Sequence, residues 1–144
     1  MTSPDEPEFL LVEDNPDDAE LTLRAYRRRG LTHSYHVVRD GAEAIEYLVE
    51  TARSQERRLP RVVFLDLKLP KVSGLEVLAR IRANPALRGL PVVVLTSSSE
   101  EADMRDAYRL GANSYVVKPV EFEKFERVVA EVGLYWLQLN QLPA

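Results

Sequence analysis

Four short apolar runs, each stopping abruptly at a polar residue, constrain this chain more than anything else in it. They are Phe9-Leu10-Leu11-Val12, Val62-Val63-Phe64-Leu65, Val92-Val93-Val94-Leu95 and Tyr115-Val116-Val117. None alternates polar with apolar, and each is rich in β-branched or aromatic residues. A strand apolar on both sides needs cover on both sides, which a parallel sheet between two helix layers provides. Tyr35-His36-Val37-Val38 is a fifth, more amphipathic run, suited to a position nearer an edge.

Helical patterns fill the intervals. Residues 19–29 carry Leu21, Leu23, Ala25 and Tyr26 and end in Arg27-Arg28-Arg29 before Gly30. Cations at the end and a glycine just beyond it are helix-stop signals. Similar periodicity predicts helices over 42–53, 74–83, 100–110 and 121–142, the last being the longest. Strands alternating with helices give a (βα)5, doubly wound α/β domain over residues 8–142. Residues 1–7, with two prolines, read as a mobile tail, and Ser54–Arg61 as a long polar connection.

The composition narrows the function. At 144 residues the chain is one domain's worth. A net charge of −4 argues against nucleic-acid binding through a bulk positive field. The absence of cysteine removes disulfides, thiolate nucleophiles and zinc–thiolate sites. No apolar run approaches the ~18 residues of a membrane span, and the acidic N-terminus has no signal-peptide character, so a cytoplasmic protein without membrane contact is expected.

The chemistry lies where the strands end: Glu13-Asp14 after the first run, Asp66 after the second, Thr96-Ser97 after the third and Lys118-Pro119 after the fourth. Ligands of open parallel sheets bind beyond the carboxyl ends of the strands. Three carboxylates, a hydroxyl and an ammonium therefore converge on one pocket. Acids so crowded repel one another unless a cation joins them, and Mg2+ suits a few carboxylates with room left for water and phosphate oxygens. In that setting Asp66 is the candidate nucleophile toward a phosphoryl group, with Lys118 sharing the charge.

These segments resemble the receiver domains of two-component response regulators: Leu11-Val12-Glu13-Asp14-Asn15, Phe64-Leu65-Asp66-Leu67-Lys68-Leu69-Pro70 with Gly74, Val94-Leu95-Thr96-Ser97, and Gly111 through Lys118-Pro119. The intervals fit too, 30 residues from Asp66 to Thr96 and 22 from Thr96 to Lys118. The resemblance implies a flavodoxin-like, CheY-like sheet of strand order 2-1-3-4-5 with an extended C-terminal helix. It implies that Asp66 accepts phosphate from a histidine kinase. Asp14, Asp66 and the Lys68 backbone carbonyl would bind Mg2+, assisted by Glu13. Lys118 would pair with the phosphoryl group through a cis Lys118–Pro119 peptide, Thr96 would move to a phosphoryl oxygen, and Tyr115 would turn inward behind it. Residues 13–20 and the segment Gly133-Leu134-Tyr135-Trp136-Leu137 are more specifically similar to single-domain response regulators paired with bacterial and cyanobacterial phytochromes. In that group the C-terminal segment takes part in homodimerisation.

Other readings compete. Ser98 or Ser99 suits the cap of the fourth helix, and Asp17 and Asp18 suit the first turn of the first. His33 and His36 read as ordinary surface or edge residues, and the Arg24–Arg29 run as a solvated helix end. On the last helix, Phe122, Phe125, Val129, Val132, Trp136 and Leu139 form one apolar stripe. Leu134, Tyr135 and Leu137 fall off it, so a homodimer contact through Leu134, Tyr135, Trp136 and Leu137 is expected. A Mg2+-dependent phosphatase of the haloacid-dehalogenase type is the alternative function. Its Asp-x-Asp pattern, however, puts a general acid where this chain has Lys68. Nucleotide-binding glycine signatures are missing, and a purely structural module would leave the strand-end residues unexplained. With nothing after the fifth helix, output is expected to be a protein contact or onward phosphate relay.

Overall fold

Burial sorts the strands into centre and edges. In the computed structural model, which describes residues 6–143, every residue of β1 (Phe9–Val12), β3 (Val62–Leu65) and β4 (Val92–Thr96) is buried. β2 (Tyr35–Val38) and β5 (Ser114–Val117) are only partly covered. The five strands form one parallel sheet in the order β2-β1-β3-β4-β5, so the two partly covered runs are its edges.

Between them lie α1 (Pro16–Arg28), α2 (Gly41–Arg53), α3 (Gly74–Ala83), α4 (Glu101–Arg109) and α5 (Phe122–Leu134), as the alternating pattern anticipates. Side chains of a strand alternate between faces. Leu10, Val12, Val63 and Leu65 thus pack with α2, α3 and α4, whereas Phe9, Leu11, Val62, Phe64 and Val93 pack with α1 and α5.

Local sequence explains the boundaries. α1 begins three residues before the predicted start, because Asn15 Oδ1 accepts from the N–H groups of Asp17 and Asp18 at 2.9 and 3.1 Å, and Pro16 opens the helix. α3 starts at Gly74, where a Cβ would lie 2.2 Å from the Asp66 carbonyl oxygen, so only glycine lets this helix abut the end of β3. At the opposite rim Arg82 gathers the connections. Its guanidinium donates to the carbonyls of Gly111, Arg88 and Leu90 and to Asn113 Oδ1, at 2.7–3.0 Å. Asn113 Oδ1 also accepts from the Val92 N–H at 2.8 Å.

Residues 1–5 of the predicted tail lie outside the described residues. Of the remaining two, Pro7 is buried, and the Glu6 carbonyl accepts from Ser34 Oγ at 3.3 Å.

The C-terminal helix departs from its predicted form. α5 passes into a wider π-helical turn, Tyr135–Leu139, which ends at Asn140 in extended backbone. The buried side is Phe125, Val129, Ala130, Gly133 and Leu137; of the predicted stripe Phe125 and Val129 lie on it, and Val132 and Trp136 are partly buried beside it. Steps of four residues stay in register through a turn holding more than 3.6 residues. Phe122 and Leu139 are left exposed, at 47% and 58%. Leu137, expected at a dimer contact, is 1% exposed and belongs to the core with α1, because the wide turn rotates it inward. Gly133 sits directly on the Tyr26 ring, where a Cβ would lie 2.4 Å from Cε1. The C-terminal segment is therefore part of the domain. Leu137→Ala should lower unfolding free energy by about 2–5 kcal/mol in urea titrations, the range for a buried leucine; a surface contact residue would leave it nearly unchanged.

Candidate functional site

Three parallel strands deliver their polar ends to one place. Lys118, just past β5, donates from Nζ to Glu13 Oε1 at 2.5 Å, to Asp18 Oδ2 at 2.9 Å and to Asp66 Oδ2 at 3.0 Å. Its side chain is 4% exposed, and those of Glu13 and Asp66 are 4% and 9%. An ammonium out of water requires acceptors for all three N–H groups, and these carboxylates supply them. The backbone fixes the positions, since Lys118 N–H bonds Thr96 O at 2.7 Å, Asp66 N–H bonds Val12 O at 3.1 Å and Glu13 N–H bonds Val38 O at 3.0 Å.

Asp66 is held on its other side by its own loop. Its Oδ1 accepts from Leu67 N–H at 2.7 Å and from Lys68 N–H at 3.4 Å. Glu13 Oε2 accepts from Asn15 N–H at 3.2 Å. Carboxylate oxygens of Glu13, Asp14 and Asp66 lie within 4.8 Å of one another, with Asp14 on the exposed side. Such a set of hard oxygen donors, open to water at Asp14, fits a divalent cation of the Mg2+ or Mn2+ kind.

The electrostatics say the same. Burial pushes the Glu13 carboxyl up to about 7, assisted by the neighbouring Asp66 charge, and Lys118 only partly offsets this. Burial alone would lower the Lys118 ammonium, but the charges of Asp66 and Glu13 and the bonds to Glu13 and Asp18 hold it above its ordinary range. The single lysine thus stays charged without satisfying all the acids around it.

Thr96, fully buried at the end of β4, accepts from Ser98 N–H through Oγ1 at 3.4 Å. The predicted serine cap of α4 is not formed: the cap position is Glu100, without a side-chain bond. Ser98 instead donates from Oγ to Asp103 Oδ2 at 2.5 Å and accepts from Glu100 N–H at 3.4 Å, tying the loop to the first turn. Tyr115 is half-buried, and its hydroxyl donates to Ser98 O at 2.9 Å; burial raises its phenol above the ordinary value. The Lys118–Pro119 peptide, expected cis, is trans, since no peptide bond among the described residues is cis. Trans is the intrinsically preferred form by about 0.5–1 kcal/mol before proline, and Lys118 reaches all three acids with it.

Asp18 is the member that sequence reasoning assigned elsewhere. With the helix expected from Ala19, Asp18 read only as a first-turn acid. Once Asn15 caps the helix, Asp18 stands one turn beyond Asp14 and faces back to the strand ends. The Asn15-Pro16 pair was the signal that could have found it.

This arrangement matches known proteins. The profile of the response regulator receiver domain spans residues 9–130. The chain belongs to that family. The receiver is 48% identical over 135 residues to the probable methanogenesis regulatory protein FilR2 of Methanothrix harundinacea, covering 94% of this chain and 86% of FilR2. Among solved structures, the bacteriophytochrome response regulator RtBRR is 51% identical with a TM-score of 0.72, covering 96% of this receiver and 84% of RtBRR. The phosphorylated cyanobacterial phytochrome response regulator RcpA and the Mn(2+)-bound form of response regulator Rcp1 are each 36% identical with TM-scores of 0.87. Each match covers 96% of this receiver and 99% of the other chain. The fold expectation, including strand order, is thereby established, and the phosphatase alternative finds no support. No helix among the described residues is long and apolar enough to cross a membrane.

Glu13 has a consequence for stability. Its carboxyl titrates near 7 when folded and near 4.5 otherwise, so the folded receiver takes up a proton that the unfolded chain does not. Its contribution is fully present below the lower value and is lost as pH rises through the upper one. Without divalent cation, the urea midpoint of the native receiver should fall relative to Glu13→Gln between about pH 4.5 and 7.5; parallel curves would contradict the assignment.

Proposed function

We propose that this receiver is a phosphorylation-controlled signalling protein in which Asp66 accepts a phosphoryl group from a phosphohistidine of a histidine kinase. The observation that carries this is the pairing of Lys118 with Asp66 at 3.0 Å, while Leu67 N–H fixes the other Asp66 oxygen at 2.7 Å. A carboxylate so oriented presents a lone pair to phosphorus, and a buried ammonium beside it neutralises the transferring oxygens. The phosphorus–nitrogen bond to the imidazole breaks as the bond to the carboxylate oxygen forms, and the imidazole nitrogen keeps the electron pair. Glu13, Asp14, Asp66 and the Lys68 backbone carbonyl would hold Mg2+. When bound, Mg2+ supplies charge neutralisation to the phosphoryl oxygens.

After transfer the site carries about −1.5 to −2 more charge if the acyl phosphate resembles other phosphates. Thr96 is one residue from the loop that Tyr115 and Asp103 anchor. Its hydroxyl is expected to leave Ser98 N–H for a phosphoryl oxygen, loosening that loop and shifting the surface of α4 and β5. The receiver thus acts as a phosphoacceptor rather than turning over external substrates.

The partner kinase that the likenesses favour is of the phytochrome class, as RtBRR and RcpA are response regulators of that kind, and a cytoplasmic location follows from such a partnership. A homodimer remains the reading for the C-terminal segment, now through Tyr135, 49% exposed, and Leu139, with Leu134 and Trp136 half-buried beside them. Tyr135 and Trp136 pack edge to face at 5.2 Å, making a firm aromatic ledge.

With Mg2+ and acetyl phosphate, the native receiver should incorporate label and Asp66→Asn should incorporate none; retained label in the variant would refute the acceptor assignment. Replacing Tyr135 and Leu139 by arginine should reduce self-association in sedimentation by at least tenfold while leaving label uptake intact. An unchanged association state would remove this face from the dimer.

A further inference from the structure

Lys118 has three N–H groups and spends one of them on Asp18. That residue lies outside the set of carboxylates that converge on a metal position, which is Glu13, Asp14 and Asp66. It approaches the ammonium from α1, on the flank where Leu21, Pro119 and Phe125 line an open cleft of about 350 Å³, and its side chain is 30% exposed. Its backbone is fixed by the helix start: its N–H donates to Asn15 Oδ1 at 3.1 Å and its carbonyl accepts from Thr22 Oγ1 at 2.8 Å. The carboxylate is therefore presented at a set place and does not drift with the loops around the pocket.

We infer that Asp18 is a positioning residue that competes with the phosphoryl group for Lys118 and so sets how firmly the lysine grips it. The inference rests on the proposed acceptor role of Asp66. Glu13 and Asp66 have a second task as candidate metal donors, so a bound cation would compete with Nζ for their oxygens. Asp18 has no such task and retains its N–H. The phosphoryl group then receives what remains of the ammonium, and also faces a nearby negative charge. Asp18 favours the cation and opposes the phosphoryl group by the same electrostatic rule. A residue that merely shaped the pocket would not act in opposite directions on the two.

Asp18→Asn keeps the side-chain size and the helix start while removing the charge. Two binding measurements on the full chain separate the roles. One is Mg2+ titration followed by the amide signals of Leu67 and Lys68. The other is titration of beryllium trifluoride, a non-covalent stand-in for a phosphoryl group, at saturating Mg2+. In Asp18→Asn the Mg2+ half-saturation concentration should rise about threefold and that for beryllium trifluoride should fall by about the same factor, the size expected of one partly exposed charge. Asp18→Glu, which restores the charge, should return both toward the native values. Loss of both affinities together, or no change in either, would overturn the role of Asp18. Failure of the native receiver to take up phosphoryl from acetyl phosphate would overturn the parent reading, and this one with it.

Discussion

A buried ammonium surrounded by acids governs the architecture of this receiver. Lys118 could not remain charged at 4% exposure without Glu13, Asp18 and Asp66, and those acids could not crowd together without a cation among them. The arrangement requires β1, β3 and β5 to end at the same level and α1 to begin within one turn of that level. A parallel sheet provides the first condition, and the Asn15 cap followed by Pro16 provides the second. The site is an electrostatic compromise, in which one positive charge is shared among more negative ones than it can neutralise. That imbalance is what gives the pocket its appetite for a divalent cation.

Much of this was legible in the sequence. Three uninterrupted apolar runs, β1, β3 and β4, are the covered strands as read, and the more amphipathic Tyr35–Val38 run lies at an edge. The Tyr115–Val117 run, equally apolar, is instead the other edge and only partly covered, because apolarity alone does not show which strand ends the sheet. The residues that end each run identified the pocket, because topology rather than proximity in sequence brings them together. What escaped was set by geometry at helix ends. Periodicity alone placed the start of α1 at Ala19 and so hid Asp18. A fixed 3.6-residue period put Leu137 off the buried side of the last helix, whereas the wide turn after Leu134 carries it into the core. The Ser98 hydroxyl looked like a cap yet bonds Asp103 two residues inside the helix, because Glu100 has taken the cap position. The isomer of the Lys118–Pro119 peptide followed the intrinsic preference for trans and not the family expectation.

The contacts around Thr96 show how a local event can reach the surface. Thr96, Ser98, Asp103 and Tyr115 are joined by successive hydrogen bonds that run from a fully buried hydroxyl to the first turn of α4 and the face of β5. Exchange of one acceptor at the buried end changes the partners available to the next group along. The edge position of β5 gives this chain of contacts somewhere to go, since a central strand would have another strand against it.

The two rims of the sheet are built on different principles. At the carboxyl rim, cohesion comes from charges that a metal ion or a new anion can rearrange. At the amino rim, Arg82 and Asn113 lock the connections into β4 and β5 with neutral carbonyl acceptors that no ligand of that kind can displace. Strain introduced at one pole therefore meets a fixed anchorage at the other. β4 and β5 are thus clamped at their base and held by exchangeable partners only at the end where the phosphoryl chemistry belongs.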